Sequence, residues 1–144
     1  AFAQICRKVK PGGIVMVGLY NSYARIPTWL RSKVIGVLGT NIDYVVRNRI
    51  EDDRKADIWV KDQYYNPHET WHSVGEVLGW FKENEIKYLN ASPAILGTDG
   101  EETNNLFEET SPGNSYQRAS TQVSWLGSIA REGALFDLIG RKAA

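Results

Sequence analysis

The 144-residue chain has one cysteine, Cys6, and one methionine, Met16. A single thiol excludes an internal disulfide framework and any multi-cysteine zinc site, and it fits a reducing, cytoplasmic compartment. Histidine is almost as scarce, with only His68 and His72. Charge of neither sign is in excess, because Lys+Arg and Asp+Glu each number 17. That balance argues against a nucleic-acid partner, which calls for a basic surplus. It also argues against a polybasic segment on a membrane surface. No apolar run approaches the ~18–20 residues of a membrane span. No basic stretch leads into an apolar one at the start, so a signal peptide is not expected. The glycines form no phosphate-cradling loop. Gly12-Gly13 reads as a turn, and Gly36-Val37-Leu38-Gly39 does not make a dinucleotide fingerprint. What remains is an ordinary globular composition, 42% hydrophobic and 24% charged. At this length it is one domain or a piece of one. A chain that opens without Met, already inside a helical pattern, is expected to be a portion of a longer one.

Local patterns order the chain. Phe2, Ile5, Cys6 and Val9 recur at i, i+3, i+4 and i+7, which predicts a short helix ended by Lys10-Pro11-Gly12-Gly13. Ile14 to Tyr20 is an unbroken apolar run and reads as a strand buried on both faces. Pro27 to Leu38 reads as a helix with Leu30, Val34, Val37 and Leu38 on its inward side, weakened by Gly36. Asn41 or Asp43 is a cap for a further helix ending near Ile50. Glu51 to Asp57 is a mixed-sign run that reads as a solvated face. Ser73-Val74-Gly75-Glu76 matches a capping box, so a helix is expected from Val74 to about Asn84 with Val74, Val77, Leu78 and Phe81 inward. Ile86 to Ala94 is a strand. Gly97 to Gln117 is a loop rich in Gly, Asn, Ser, Thr and Glu. Thr121 to Arg131 is a helix with Val123, Leu126 and Ala130 inward, and Ala134 to Gly140 is a last strand. Cys6 belongs to an apolar stripe and reads as core, not nucleophile. The aromatics from Trp59 to Phe81 read mostly as packing.

One motif invites a sharper reading. His68-Glu69-Thr70-Trp71-His72 fits H-E-x-x-H, in which two histidines one helical turn apart bind zinc and the glutamate polarises water. The extended form needs a third histidine where Leu78 stands. The helix is expected to begin only at Ser73, after the motif. No metal ligand is therefore assigned, and a zinc hydrolase is the third-ranked reading.

Several blocks, in order, resemble class I S-adenosylmethionine-dependent methyltransferases. Arg7-Lys8-Val9-Lys10-Pro11-Gly12-Gly13 before a buried strand resembles the R-x-L-K-P-G-G element that leads into strand five of that family. Asp62 to Ser73 resembles the D-x-Y-x-H-P-x-E-x-x-H-S/T stretch of one branch, with Asn66 in place of its histidine. Glu76, Val77, Trp80 and Phe81 match the following E-V-x-x-W-F helix. Glu83-Asn84-Glu85-Ile86 replaces the usual Glu-Ala-Gly-Phe, and Asn84 is expected to take the left-handed cap. Arg131-Glu132-Gly133 and Ile139-Gly140-Arg141-Lys142 resemble the branch's ending.

The resemblance covers only the C-terminal half of that family. It implies an α/β chain, half of a Rossmann-like methyltransferase fold, within the family's strand order 3-2-1-4-5-7-6. Strands near 13–20, 86–93 and 134–140 would be its strands five, six and seven, a three-stranded mixed sheet with the last strand antiparallel and helices alongside. The whole chain, 1–144, would be a single partial domain with a helical insertion at 21–61 and a loop-rich one at 97–120. S-adenosylmethionine is the cofactor of the intact family enzyme, but its binding half is missing, so no cofactor-binding residue is assigned and the chain alone is expected to be inactive. On the acceptor side, Tyr20, Asn21, Tyr23 and Tyr65 are candidates for binding a small-molecule methyl acceptor, since ligands gather at the carboxyl ends of strands. His68, Glu69 and His72 are candidates for a catalytic base and its partner. A homodimer is expected through the bare edge of strand 13–20. The rival reading is a non-catalytic α/β ligand-binding or oligomerisation module.

Overall fold

The computed structural model describes residues 1–39, 52–65, 69–96 and 105–143. Its architecture is α/β, a four-stranded mixed sheet with five α-helices among the described residues. The central pair is β1 (Ile14–Asn21) and β4 (Leu135–Lys142), which run antiparallel from Ile14↔Arg141 to Tyr20↔Leu135. β3 (Ile86–Ser92) pairs antiparallel with the far side of β4, with an irregularity between Tyr88 and Asn90. The fourth strand is β2 (Trp71–His72), which pairs parallel with the end of β1 through Tyr20↔Trp71 and Asn21↔His72. The sheet order is therefore β2-β1-β4-β3. The three expected strands are present. The added β2 is too short to announce itself by alternation, which needs four or more residues to register.

One face of the sheet carries the core. Helix α1 (Phe2–Cys6) and helix α4 (Val74–Glu83) both lie on it. Cys6, Val15, Val77, Phe81, Leu138 and Phe136 form one buried cluster. Phe2 stacks on Phe81 with ring centroids 5.7 Å apart. The backbone at Gly140 passes so close beneath α4 that a Cβ there would sit 2.4 Å from Ile86 Cγ2 and 2.7 Å from Phe81 Cε2. Glycine is the residue that lets helix and sheet meet at this spacing.

β1 is not buried on both faces, as its apolar run implies. Val15, Val17 and Leu19 face the core, but Ile14 and Met16 are exposed, Met16 by 57%. Over β1 the second face is open, so alternation sends Ile14 and Met16 to water, although Ile139 of β4 on the same face is buried. β2 covers the free edge of β1 only at Tyr20 and Asn21, and on that edge, away from β4, Ile14–Leu19 has no strand beside it among the described residues.

The helices bring further corrections. α2 (Ile26–Leu38) spans the expected segment with Pro27 in its first turn. Its buried residues are Thr28 and Ile35, while Leu30, Val34, Val37 and Leu38 are exposed, so the apolar stripe points outward. α3 (Asp53–Tyr65) turns the charge run into a helix, which lies against α2. The helix expected to start at Asn41 or Asp43 falls outside the described residues. α4 has the expected bounds. Ser73 Oγ accepts the N–H of Glu76 at 3.2 Å, but the left-handed residue after the helix is Glu85 (φ 57°), while Asn84 has φ −111°. Ile129–Glu132 is a separate 3-10 turn, so helix α5 (Ser115–Ser124), which begins inside the expected loop, stops short of the expected Arg131. Asn114 caps it, and Gln117 returns the bond to the Asn114 N–H at 2.8 Å. Gln122 and Trp125, rather than Val123 and Leu126, face inward, and Ala130 is buried as expected. No helix among the described residues is long and apolar enough to cross a membrane.

Candidate functional site

The C-terminal end of β1 sets the site. Tyr20 and Asn21 close the strand, and the chain turns at once into α2. Asn21 is fully buried and holds the turn: its Oδ1 accepts the N–H groups of Tyr23 and Ala24 at 3.0 and 3.1 Å, and its Nδ2 donates to Gln122 Oε1 at 3.0 Å. Gln122 Oε1 also accepts the Val74 N–H at 2.8 Å, so the pair ties β1, α4 and α5 together. With its amide satisfied on both sides, Asn21 is an architectural residue.

That turn delivers Arg25 to the interior. Arg25 is 1% exposed. Its Nε donates to Glu69 Oε1 and its Nη2 to Glu69 Oε2, each at 2.5 Å, in the bidentate fork that guanidinium and carboxylate geometries allow. Nη1 donates to the Gly133 carbonyl at 3.2 Å, and the guanidinium carbon lies 4.6 Å from the centre of the Tyr20 ring. Glu69, with its side chain 8% exposed, also accepts the indole N–H of Trp71 at 2.5 Å. The ion pair is thus dry, doubly hydrogen-bonded and internally neutral. Above it lies a cleft of about 90 Å³ lined by Arg25, Thr28, Trp29, Ser32, Tyr64, Glu69 and Trp71. Its floor is a neutralised ion pair and its walls are two indoles and a phenol. Such a surface offers flat apolar faces with a few hydroxyls between them, which suits a planar, uncharged group.

The expected site residues divide. Tyr20 and Glu69 meet at Arg25. Tyr23 is exposed and does not line the cleft. Tyr65 ends α3, and its side chain and the whole of His68 lie outside the described residues. His72 does not join Glu69. It sits in β2 with its Nε2 3.0 Å from Thr70 Oγ1 and its ring edge-on to Trp80 at 4.8 Å. Its Nδ1 lies 3.1 Å from Glu76 Oε1 without forming a hydrogen bond. Glu69 has three N–H groups on its two oxygens and acts here as a fixed anion, not as a partner for a histidine base. Because residues 71–72 form a strand, the H-E-x-x-H spacing does not lie along one helical face there. Among the described residues no group of three metal-ligating side chains converges.

Sequence reasoning missed Arg25, Trp29, Tyr64 and Trp71 as a group. A signal for Arg25 was present: an arginine between Ala24 and Ile26-Pro27 lacks the polar neighbours of a surface base. Elsewhere, burial pushes the Cys6 thiol up, an effect eased by Lys142, which fits a core cysteine rather than a reactive one. Burial also raises the Asp137 carboxyl. Asp137 lies across from Gly18 on the sheet face opposite α1 and α4, half-buried, and so close that a Cβ on Gly18 would meet its Oδ1 at 2.6 Å. Comparison with protein-family models, curated proteins and solved structures gave no match.

Proposed function

We propose that the chain is the C-terminal, acceptor-side portion of an S-adenosylmethionine-dependent methyltransferase acting on a small molecule. The observation that carries this reading is the strand order. β1, β4 and β3 lie side by side with β4 antiparallel to both neighbours. That is the arrangement the resemblance implies for strands five, seven and six. A fold does not name an activity, so the cleft carries the other half of the reading. It sits at the carboxyl end of β1, where open α/β sheets bind ligands.

In this reading the Arg25–Glu69 pair is the floor, and Trp29, Tyr64 and Trp71 hold a planar acceptor between them. The pair costs nothing to reorganise, because its atoms already satisfy one another. The cofactor supplies the methyl group and binds to a part of the protein preceding this chain. The test is an assay of methyl transfer from labelled S-adenosylmethionine to planar small-molecule acceptors, with the reading frame extended upstream of Ala1. The extended protein should transfer methyl groups, and Trp71→Ala should raise the acceptor KM several-fold with the fold intact. An extended protein that binds no S-adenosylmethionine contradicts the proposal.

For the chain by itself, we propose that two copies pair through the open edge of β1. The edge Ile14–Leu19 carries no charge and no proline, the usual devices that keep an edge from pairing.

A further inference from the structure

A threonine inside a helix commonly turns its hydroxyl back onto a carbonyl of the preceding turn. Ser32 of α2 makes such a bond, its Oγ donating to the Trp29 carbonyl at 2.7 Å. Thr28, one turn earlier and only 6% exposed, does not. Its hydroxyl has no hydrogen-bond partner among the described residues. Nor is that hydroxyl sealed in: the side-chain atom there that is both sealed and unbonded is His72 Nδ1. Thr28 lines the cleft, so the cleft is where its hydroxyl meets solvent. A side chain held nine-tenths buried with its hydrogen bond left open is unfavourable unless something in the cleft completes it. Glu69 offers the matching half. Its Oε1 accepts two N–H groups, from Arg25 Nε and Trp71 Nε1, whereas Oε2 accepts one, from Arg25 Nη2. A carboxylate oxygen takes two, so Oε2 can accept one more. Because Arg25 already neutralises Glu69, that last bond calls for an uncharged donor rather than a cation.

We propose that the cleft selects an uncharged aromatic ring bearing a phenol-type hydroxyl, and that Thr28 is the residue that tells such a ring from a bare one. A ring hydroxyl does what both protein groups require: its oxygen accepts from Thr28 Oγ1 and its proton goes to Glu69 Oε2. A ring methyl does neither, and a ring amine is a poor acceptor for Thr28. The ring itself lies against Trp29, Tyr64 and Trp71, which line the same cleft. This names the substrate class of the site and rests on reading the cleft as the acceptor site.

The experiment titrates phenol and toluene, which match in size, into the whole chain and follows the indole N–H resonances of Trp29 and Trp71 by NMR. Phenol should bind roughly tenfold more tightly than toluene, the effect of one hydrogen bond to a charged acceptor. Thr28→Val keeps the shape and removes the hydroxyl. It should weaken phenol binding several-fold and leave toluene binding unchanged, and Thr28→Ser should restore the phenol affinity. A merely structural threonine would move both ligands alike or neither. The proposal is overturned if phenol and toluene bind the parent chain equally, a comparison that needs no variant to fold. It is equally overturned if Thr28→Val leaves the advantage of phenol intact, or if neither ligand moves the two indole resonances. The methyl-transfer reading fails on a different result, the absence of S-adenosylmethionine binding by the extended protein, so the two fail separately.

Discussion

At the scale of single residues, the Arg25–Glu69 pair dominates the site. A buried pair gains little over an apolar one, but losing half of it strands a charge in a dry setting, at about 3–5 kcal/mol. Glu69→Gln should therefore cost about 3 kcal/mol, read as a lower denaturant midpoint at unchanged slope. Glu69 was legible as a candidate because it stands among histidines and aromatics. The pairing was not, since the apolar neighbours of Arg25 hint at burial but name no partner, and only the tertiary fold brings residues 25 and 69 together. Asp137 makes the opposite case. It has no hydrogen-bond or ionic partner among the described residues, and burial raises its carboxyl above the ordinary aspartate value. The folded state thus holds the proton more tightly than the unfolded one. Stability attributable to this group falls as pH rises from the unfolded value through the raised folded one. Asp137→Asn should be more stable than the parent at pH 7, and the advantage should vanish at pH 3. Thermal unfolding at the two pH values checks it.

At the scale of elements, helical periodicity located α1 and α2, the cap and its stripe located α4, and apolar runs between turn signals located the longer strands. It could not tell which way a stripe faces. In α2 the residues with the clearest repeat point to solvent, and a threonine and one isoleucine do the burying. α5 was expected too late in the chain, over Thr121 to Arg131, because its first turns are polar and its inward residues, Gln122 and Trp125, are not an aliphatic stripe. Its real signal was the cap. Asn114 Oδ1 accepts the Gln117 N–H at 2.9 Å, and the Gln117 side chain bonds back, a reciprocal box like the one sought at Ser73 and Glu76. At Ser73 only half the box forms, since the Glu76 carboxylate lies beside His72 instead. Asn114→Ala should therefore cost about 1 kcal/mol. It should also loosen hydrogen-exchange protection across Ser115–Ser124 more than elsewhere, which amide exchange reports directly.

At the scale of the whole molecule, the bare second face and open edge of β1 belong together. A strand apolar on both sides, with one side and most of one edge uncovered, carries more hydrophobic surface than the described elements bury. In the reading developed above, a neighbouring strand and its helices complete that surface. The isolated chain should instead pair edge to edge with a second copy. Sedimentation velocity should find a dimer at micromolar concentration, Met16→Lys should convert it to monomer, and Val37→Asp should leave it intact. A monomer throughout contradicts edge pairing. The short β2 was invisible in the sequence for a related reason: two residues form a strand only because the end of β1 is there to receive them.

The proposed acceptor-side role in a methyltransferase stands or falls on the coding DNA immediately upstream of Ala1. An open frame there should encode a strand, an acidic Gly-x-Gly turn and a helix, followed by enough chain to complete the sheet beside β1. A stop codon, with translation initiating next to Ala1, would overturn the proposal in favour of a small α/β binding module.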